Sequence, residues 1–145
     1  MNIRERRAED FVAVRALLET RGLPSNGLER TRGWIVEEGN QIIAHIAMEE
    51  TEDAVVLRSL VTAPATQGRG IARRLMDLAE AEAGNRAILL RTRTVGPWVS
   101  RRGYTLAGSE HIPASIRSTS EFEGSLCSGF PIYVRPSVPH PPESG

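Results

Sequence analysis

A mixed α/β domain is predicted, in which a strand meander leads into a strand–turn–helix unit and a further strand. Three observations predict it. Two strand-like runs, Gly33 to Glu38 and Gln41 to Glu50, flank the tight-turn pair Gly39-Asn40, and Ala54 to Ala63 follows the short loop Thr51-Glu52-Asp53. A glycine-rich turn then feeds Ile71 to Ala83, an amphipathic helical run. Ala87 to Thr94 reads as a strand after that helix, and a strand–helix–strand crossover sets it parallel to its predecessor.

The remaining elements follow in chain order. Asn2 to Arg6 is a short first strand with Ile3 as its buried residue. Phe11, Val14, Leu17 and Leu18 recur at helical spacing, behind Glu9-Asp10, whose charges suit a helix N-terminus. Arg21-Gly22 ends that helix, and Leu23 to Gly27 is a loop running into a short helix at Leu28-Glu29-Arg30. Pro64 lacks an N–H and ends the third meander strand. Gly84-Asn85 stops the long helix. Gly96-Pro97-Trp98 starts a short helix that Gly103 ends, and Tyr104 to Ala107 is a strand. Ile112 to Phe122 reads as helical, with Pro113 in its first turn, and Ile132 to Val134 as a last edge strand. The expected organisation is one domain over residues 1–135 and a disordered tail over 136–145, rich in Pro and Ser.

Composition narrows the function classes. With 145 residues, 40% apolar and 25% charged, the chain can bury a real core. Its zero net charge argues against a broad nucleic-acid footprint. Cys127 is the only cysteine, which leaves no intrachain disulfide and no multi-cysteine metal site. The start lacks the apolar core of a signal peptide, and no apolar run is long enough to span a membrane. A cytosolic enzyme without a metal fits; a homodimer stays open.

The chemistry is organised around Arg58-Ser59-Leu60-Val61-Thr62-Ala63-Pro64 and the turn Gln67-Gly68-Arg69-Gly70-Ile71-Ala72. A strand–turn–helix of this kind aims free backbone N–H groups at one point, helped by the helix dipole, and is a ready anion site. Neither the Lys-Ser/Thr ending of a P-loop nor a GxGxxG spacing is present. The turn matches Gln/Arg-x-x-Gly-x-Gly/Ala through Gln67, Gly70 and Ala72, and so resembles the GCN5-related N-acetyltransferases (GNAT). That resemblance implies a GNAT fold: a mixed, mostly antiparallel central sheet with helices on both faces. It implies acetyl-coenzyme A as co-substrate, its pyrophosphate on the turn from Gln67 to Ala72 with Arg73 next in line. It also implies that a backbone N–H around Leu60–Val61 polarises the thioester, that Thr62 binds the pantetheine arm, and that the loop after the first helix walls the acceptor site.

A narrower resemblance covers nearly the whole chain. Leu57 to Val61, Arg102-Gly103-Tyr104, Ile112 to Phe122 and Ser125 to Ser128 are similar to acetyltransferase-like proteins encoded with arsenic-resistance genes. It implies a small amino-acid-like amine as acceptor, including arsenical or phosphinic analogues of glutamate. Protein N-terminal or lysine acetylation is the alternative, and a silent acetyl-coenzyme A-binding sensor the rival. One departure bears on mechanism: Val99 stands where many relatives carry the tyrosine that protonates the thiolate. Tyr104, Tyr133, Ser59 or a water remain as proton donors, with Tyr104 the nominated one.

Glu49 and Glu50 close the second meander strand on opposite faces, Glu49 sharing its face with Ile43, His45 and Ala47. Glu49 is the candidate base, against surface charge as the plain alternative. Arg58, inside an apolar strand, either holds an acceptor anion, with Ser59 beside it, or pairs with Glu49 or Glu50. Arg91 and Arg93 share a face with Leu89 and pose the same question. His45 and His111 read as structural histidines, Cys127 as a buried small residue, and Trp98 as core or lid packing.

Overall fold

The computed structural model describes residues 1–92, 95–107, 112, 114–117 and 131–138, with no side-chain description at 114 and 117. Arg93, His111, Pro113, residues 118–122, Cys127 and the tail from 139 lie outside the described residues, as does the side chain of Arg117.

Seven strands form one sheet in the order β1-β2-β3-β4-β5-β7-β6. They are β1 (Asn2–Glu5), β2 (Arg32–Glu38), β3 (Gln41–Glu50), β4 (Ala54–Thr62), β5 (Ala87–Arg91), β6 (Thr105–Ala107) and β7 (Ile132–Arg135). Among the described residues only β4 and β5 pair in parallel, as the crossover through α2 (Ile71–Ala83) requires. α1 (Phe11–Thr20) and α4 (Ala114–Arg117) cover one face, and α2 and α3 (Gly96–Arg101) the other. The mixed, mostly antiparallel sheet with helices on both faces is the predicted architecture.

Local sequence explains the layers. α1 buries Val14 and Leu18 against Ile35, Ala47 and Val61. α2 buries Ile71, Leu75, Met76, Ala79 and Ala83, a helical stripe, against Ile46, Met48, Val55, Leu57 and Ile88. Ile116 of α4 packs on Val56, Leu89 and Ile132. Beyond the predicted strand end, Val138 N–H donates to the Asn85 carbonyl at 2.9 Å.

Two sequence expectations change here. β7 is not an edge strand: it lies between β5 and β6 and pairs antiparallel with both. Its apolar side chains serve both faces, Ile132 and Val134 with the α4 cluster and Tyr133 with the α2 cluster, as an interior strand demands. The shared face of Ile43 and Glu49 also fails. β3 has a bulge at Ile43, because Val36 pairs with Ala44 and Glu37 with Ile42. The extra residue resets the alternation and puts Ile43 in the α2 core, whereas Ala47 lies under α1.

Candidate active site

Two local departures from regular sheet build a cleft. β4 and β5 pair only from Ala54/Ala87 to Val56/Leu89, and beyond that they part. On its other side β4 is bulged: His45 pairs with Val61 and Ala47 with Arg58, so Ser59 and Leu60 together face Ile46. Ser59 sits at φ +56°, a left-handed conformation rare for a residue with a Cβ. The bulge also reverses the alternation, sending Leu57 and Leu60 to the α2 side and Val61 to the α1 side.

The gap is a cleft of about 570 Å³. One wall is the Leu57 to Thr62 run of β4; the other is Leu90, Arg91, Thr92 and Val95. Trp98 and Val99 of α3 close the α2 side, and Arg21, Leu23 and Pro24 the α1 side. Thr62, Gln67, Ala72 and Trp98 also line a neighbouring recess of about 260 Å³ with Gly68, Gly70, Ile71 and Arg73, so the two spaces adjoin.

That recess is the turn before α2. Gly68 and Gly70 take φ +85° and +74°, conformations that favour glycine, and Gly70 caps α2 without a side-chain bond. The first-turn N–H groups of α2 have no intrahelical acceptor, and no acidic residue lies in that turn. A diphosphate suits this end of the helix. Gln67, with its amide oxygen turned to Arg21, accepts from both terminal nitrogens at 2.9 and 3.1 Å, tying the turn to the end of α1. Arg69 directs its side chain elsewhere, making a two-point pair with Glu38 at 2.6 and 3.1 Å.

Arg58 is buried, at 6% exposure, and lines the cleft. Its Nη1 donates to the Asn26 carbonyl at 2.6 Å and its Nε to Ser59 Oγ at 3.0 Å, so it braces the loop after α1. Glu50 bonds Arg86 at 3.0 Å. Glu49 is buried, and the register puts it one diagonal step from Arg58 on the same face, but it is not among the cleft-lining residues. Nor is Tyr104: its hydroxyl donates to Glu80 Oε2 at 2.9 Å, and burial beside that carboxylate raises its pKa well above the phenol range. Tyr133 packs over Gly96, where no Cβ would fit. Val99, at the position usually held by tyrosine, does line the cleft.

His45 carries more than a lone core histidine would. It is fully buried; its Nδ1 lies 2.9 Å from the Ser59 carbonyl and its Nε2 2.9 Å from Arg6 Nη1. A carbonyl only accepts and a guanidinium only donates, so the ring is neutral with its proton on Nδ1. Burial, with Arg6 and Arg58 nearby, pushes the His45 pKa down to about 3. Unfolded, the group takes a proton below its ordinary 6.5. Its contribution is therefore complete above pH 6.5 and is lost as pH falls toward 3, by up to about 1.4 kcal/mol per pH unit. Urea unfolding between pH 7 and 5 should show that slope, and His45→Asn should flatten it. Arg6 and Arg21 are site residues that periodicity and motif do not reveal, since both act across long sequence distances.

Comparison with known proteins follows the same outline. The sequence model described as an acetyltransferase (GNAT) domain matches residues 29–106. No curated protein matches the chain. Among solved structures, N-acetylglutamate synthase from Neisseria gonorrhoeae, complexed with coenzyme A and N-acetyl-glutamate, superimposes with a TM-score of 0.74 at 20% identity, over 96% of this chain and 36% of that one. The chain thus spans about a third of that protein. The ribosomal-protein-S18-alanine N-acetyltransferase from Escherichia coli gives 0.72 at 16% identity, covering 98% and 97% of the two chains. A GNAT acetyltransferase from Brucella melitensis, in complex with acetyl-CoA, gives 0.60 at 23% identity, covering 72% and 82%. These likenesses establish the fold, and the matched model spans more than half of the sequence: the chain belongs to the GNAT acetyltransferase family.

Proposed function

We propose that this acetyltransferase moves an acetyl group from acetyl-coenzyme A to the amine of a small amino-acid-like acceptor bearing an anionic group, by direct attack in a ternary complex. The observation that carries this reading is a cleft with Arg21, Arg58 and Arg91 in its walls, sharing Thr62, Gln67, Ala72 and Trp98 with the recess at the phosphate-type turn. Bound there, acetyl-coenzyme A supplies an activated thioester. The turn from Gln67 to Ala72, with Arg73, holds the pyrophosphate, and Thr62 the pantetheine arm. The Leu60 N–H, in the bulge without a register partner, polarises the thioester carbonyl.

Arg58 and Ser59 meet the acceptor. Carboxylate, phosphinate and arsonate ends all suit a guanidinium, so glutamate-like amino acids and their arsenical or phosphinic analogues form the substrate class. Glu49 takes the amine proton through water, since it is buried on the Arg58 face but off the cleft lining. Tyr104 has no part in this scheme, because its hydroxyl is given to Glu80. The cytosol is the proposed setting.

Coenzyme A thiol release, measured across acidic and neutral amino acids, their arsenical and phosphinic analogues and N-terminal peptides, tests the reading. Acidic acceptors should exceed neutral ones about tenfold or more in kcat/KM, the worth of one charge-assisted contact. Turnover of peptides alone would replace the small-molecule reading; binding of the coenzyme with no thiol release for any amine would leave a silent binder.

A further inference from the structure

A buried chain of bonds runs behind the bulge without entering the cleft. Arg6 donates to His45 Nε2 at 2.9 Å, to Thr31 Oγ1 at 3.0 Å and to the Leu28 carbonyl at 3.3 Å, while lying over the Phe11 ring at 4.6 Å. With Nε2 so occupied, the ring offers Nδ1–H to Ser59, whose carbonyl accepts it at 2.9 Å. Neither Arg6 nor His45 lines the cleft.

The bond holds one end of a rigid unit. The peptide joining Ser59 to Leu60 is planar and trans, so its carbonyl and its N–H point in opposite directions. The carbonyl is drawn toward His45 on β3. The Leu60 N–H is therefore turned away from the His45 ring. Ser59 and Leu60 share one opposing residue on β3, so neither has a register partner of its own there.

We propose that His45 is a positioning residue for acetyl transfer: by holding the Ser59 carbonyl it aims the Leu60 N–H at the thioester carbonyl, with Arg6 fixing the tautomer that makes this bond. This rests on the reading of Leu60 given above. Gly33 supplies an independent sign. A Cβ there would overlap Arg6 Nη1 and meet His45 Nε2 at 3.0 Å, so the β2 backbone leaves room for this pair.

The test uses the full chain with acetyl-coenzyme A labelled with ¹³C at the carbonyl. Infrared difference spectra read the polarisation of the bound thioester directly, and calorimetry reads binding. In the wild type the bound carbonyl stretch should fall below its value in solution. His45→Leu should return it toward the solution value and lower kcat about ten- to a hundredfold, with coenzyme affinity changed less than about threefold. His45→Asn, which keeps a donor near the Nδ1 position, should restore most of both; His45→Gln, whose amide reaches the Nε2 position, should not. Gly33→Ala, which dislodges Arg6, should act as a weaker His45→Leu. If His45→Leu does not fold, the order of Asn over Gln decides. A wild-type shift that survives in His45→Leu, or that is equal in the Asn and Gln variants, overturns the assignment. A shift that depends on His45 in an enzyme accepting no amine tested would instead keep the assignment and remove the acceptor reading. A wild type that binds the coenzyme with no carbonyl shift removes the Leu60 role and this proposal with it.

Discussion

Gly70→Asp should weaken acetyl-coenzyme A binding about a hundredfold or more while leaving the protein folded. Gly70 precedes α2 at φ +74°, and Asp is among the few residues with a side chain that tolerate this region. Its carboxylate would then lie beside the first-turn N–H groups of α2, where a negative charge suits the positive end of the helix dipole. Those are the donors assigned to the pyrophosphate, so the variant supplies its own anion to the site and repels the ligand's. Losing two charge-assisted bonds at about 1.5–3 kcal/mol each reaches a hundredfold before repulsion is counted. Gly70→Asn separates the terms, since it has the shape of Asp without the charge and should bind with intermediate affinity. Melting curves should show Gly70→Asp at or near wild type. A folded Gly70→Asp that titrates like wild type in calorimetry would take the turn out of the proposal.

The backbone of the turn was legible because its shape is local. Gln67, Gly70 and Ala72 lie within one turn, between a run that must be strand and a run that must be helix, and backbone N–H groups at a helix start need no distant partner. The meander was legible for the same reason: Gly39-Asn40 marks the hairpin, and β3 has the bounds expected of it. What could not be read is set by register. The bulges at Ile43 and Ser59 each insert one residue, and a one-residue slip reverses which face every later side chain meets. Alternation counted along the sequence therefore misplaced Ile43 relative to Glu49. β7 was misplaced because order in the sheet depends on a long connection, and four residues carry little record of having neighbours on both sides. The Arg6–His45 pair joins residues far apart in the chain, so a histidine without ligand spacing read only as core.

Arg58→Lys is the second large effect, and its pattern across acceptors separates two roles for one side chain. In the structure the guanidinium spans from Ser59 Oγ to the Asn26 carbonyl, and it lines the cleft as well. Lysine keeps the charge but has no planar fork, so it cannot brace the loop at Asn26, bond Ser59 and present a second face to an anion. If Arg58 contacts the acceptor, KM for an acidic amino acid should rise about ten- to a hundredfold, neutral amines should change little, and coenzyme affinity should hold. If Arg58 acts only by bracing the loop, acidic and neutral acceptors should lose kcat/KM equally, because the same wall serves both. Arg58→Ala removes a buried side chain together with its bonds to Asn26 and Ser59, so its melting temperature should fall. Arg58→Lys is therefore the variant for kinetics and Arg58→Ala the control for stability. Equal kcat/KM for acidic and neutral amines in wild type and in a folded Arg58→Lys would remove Arg58 from acceptor recognition, and Arg91 and Arg21, which line the same cleft, would be next to test.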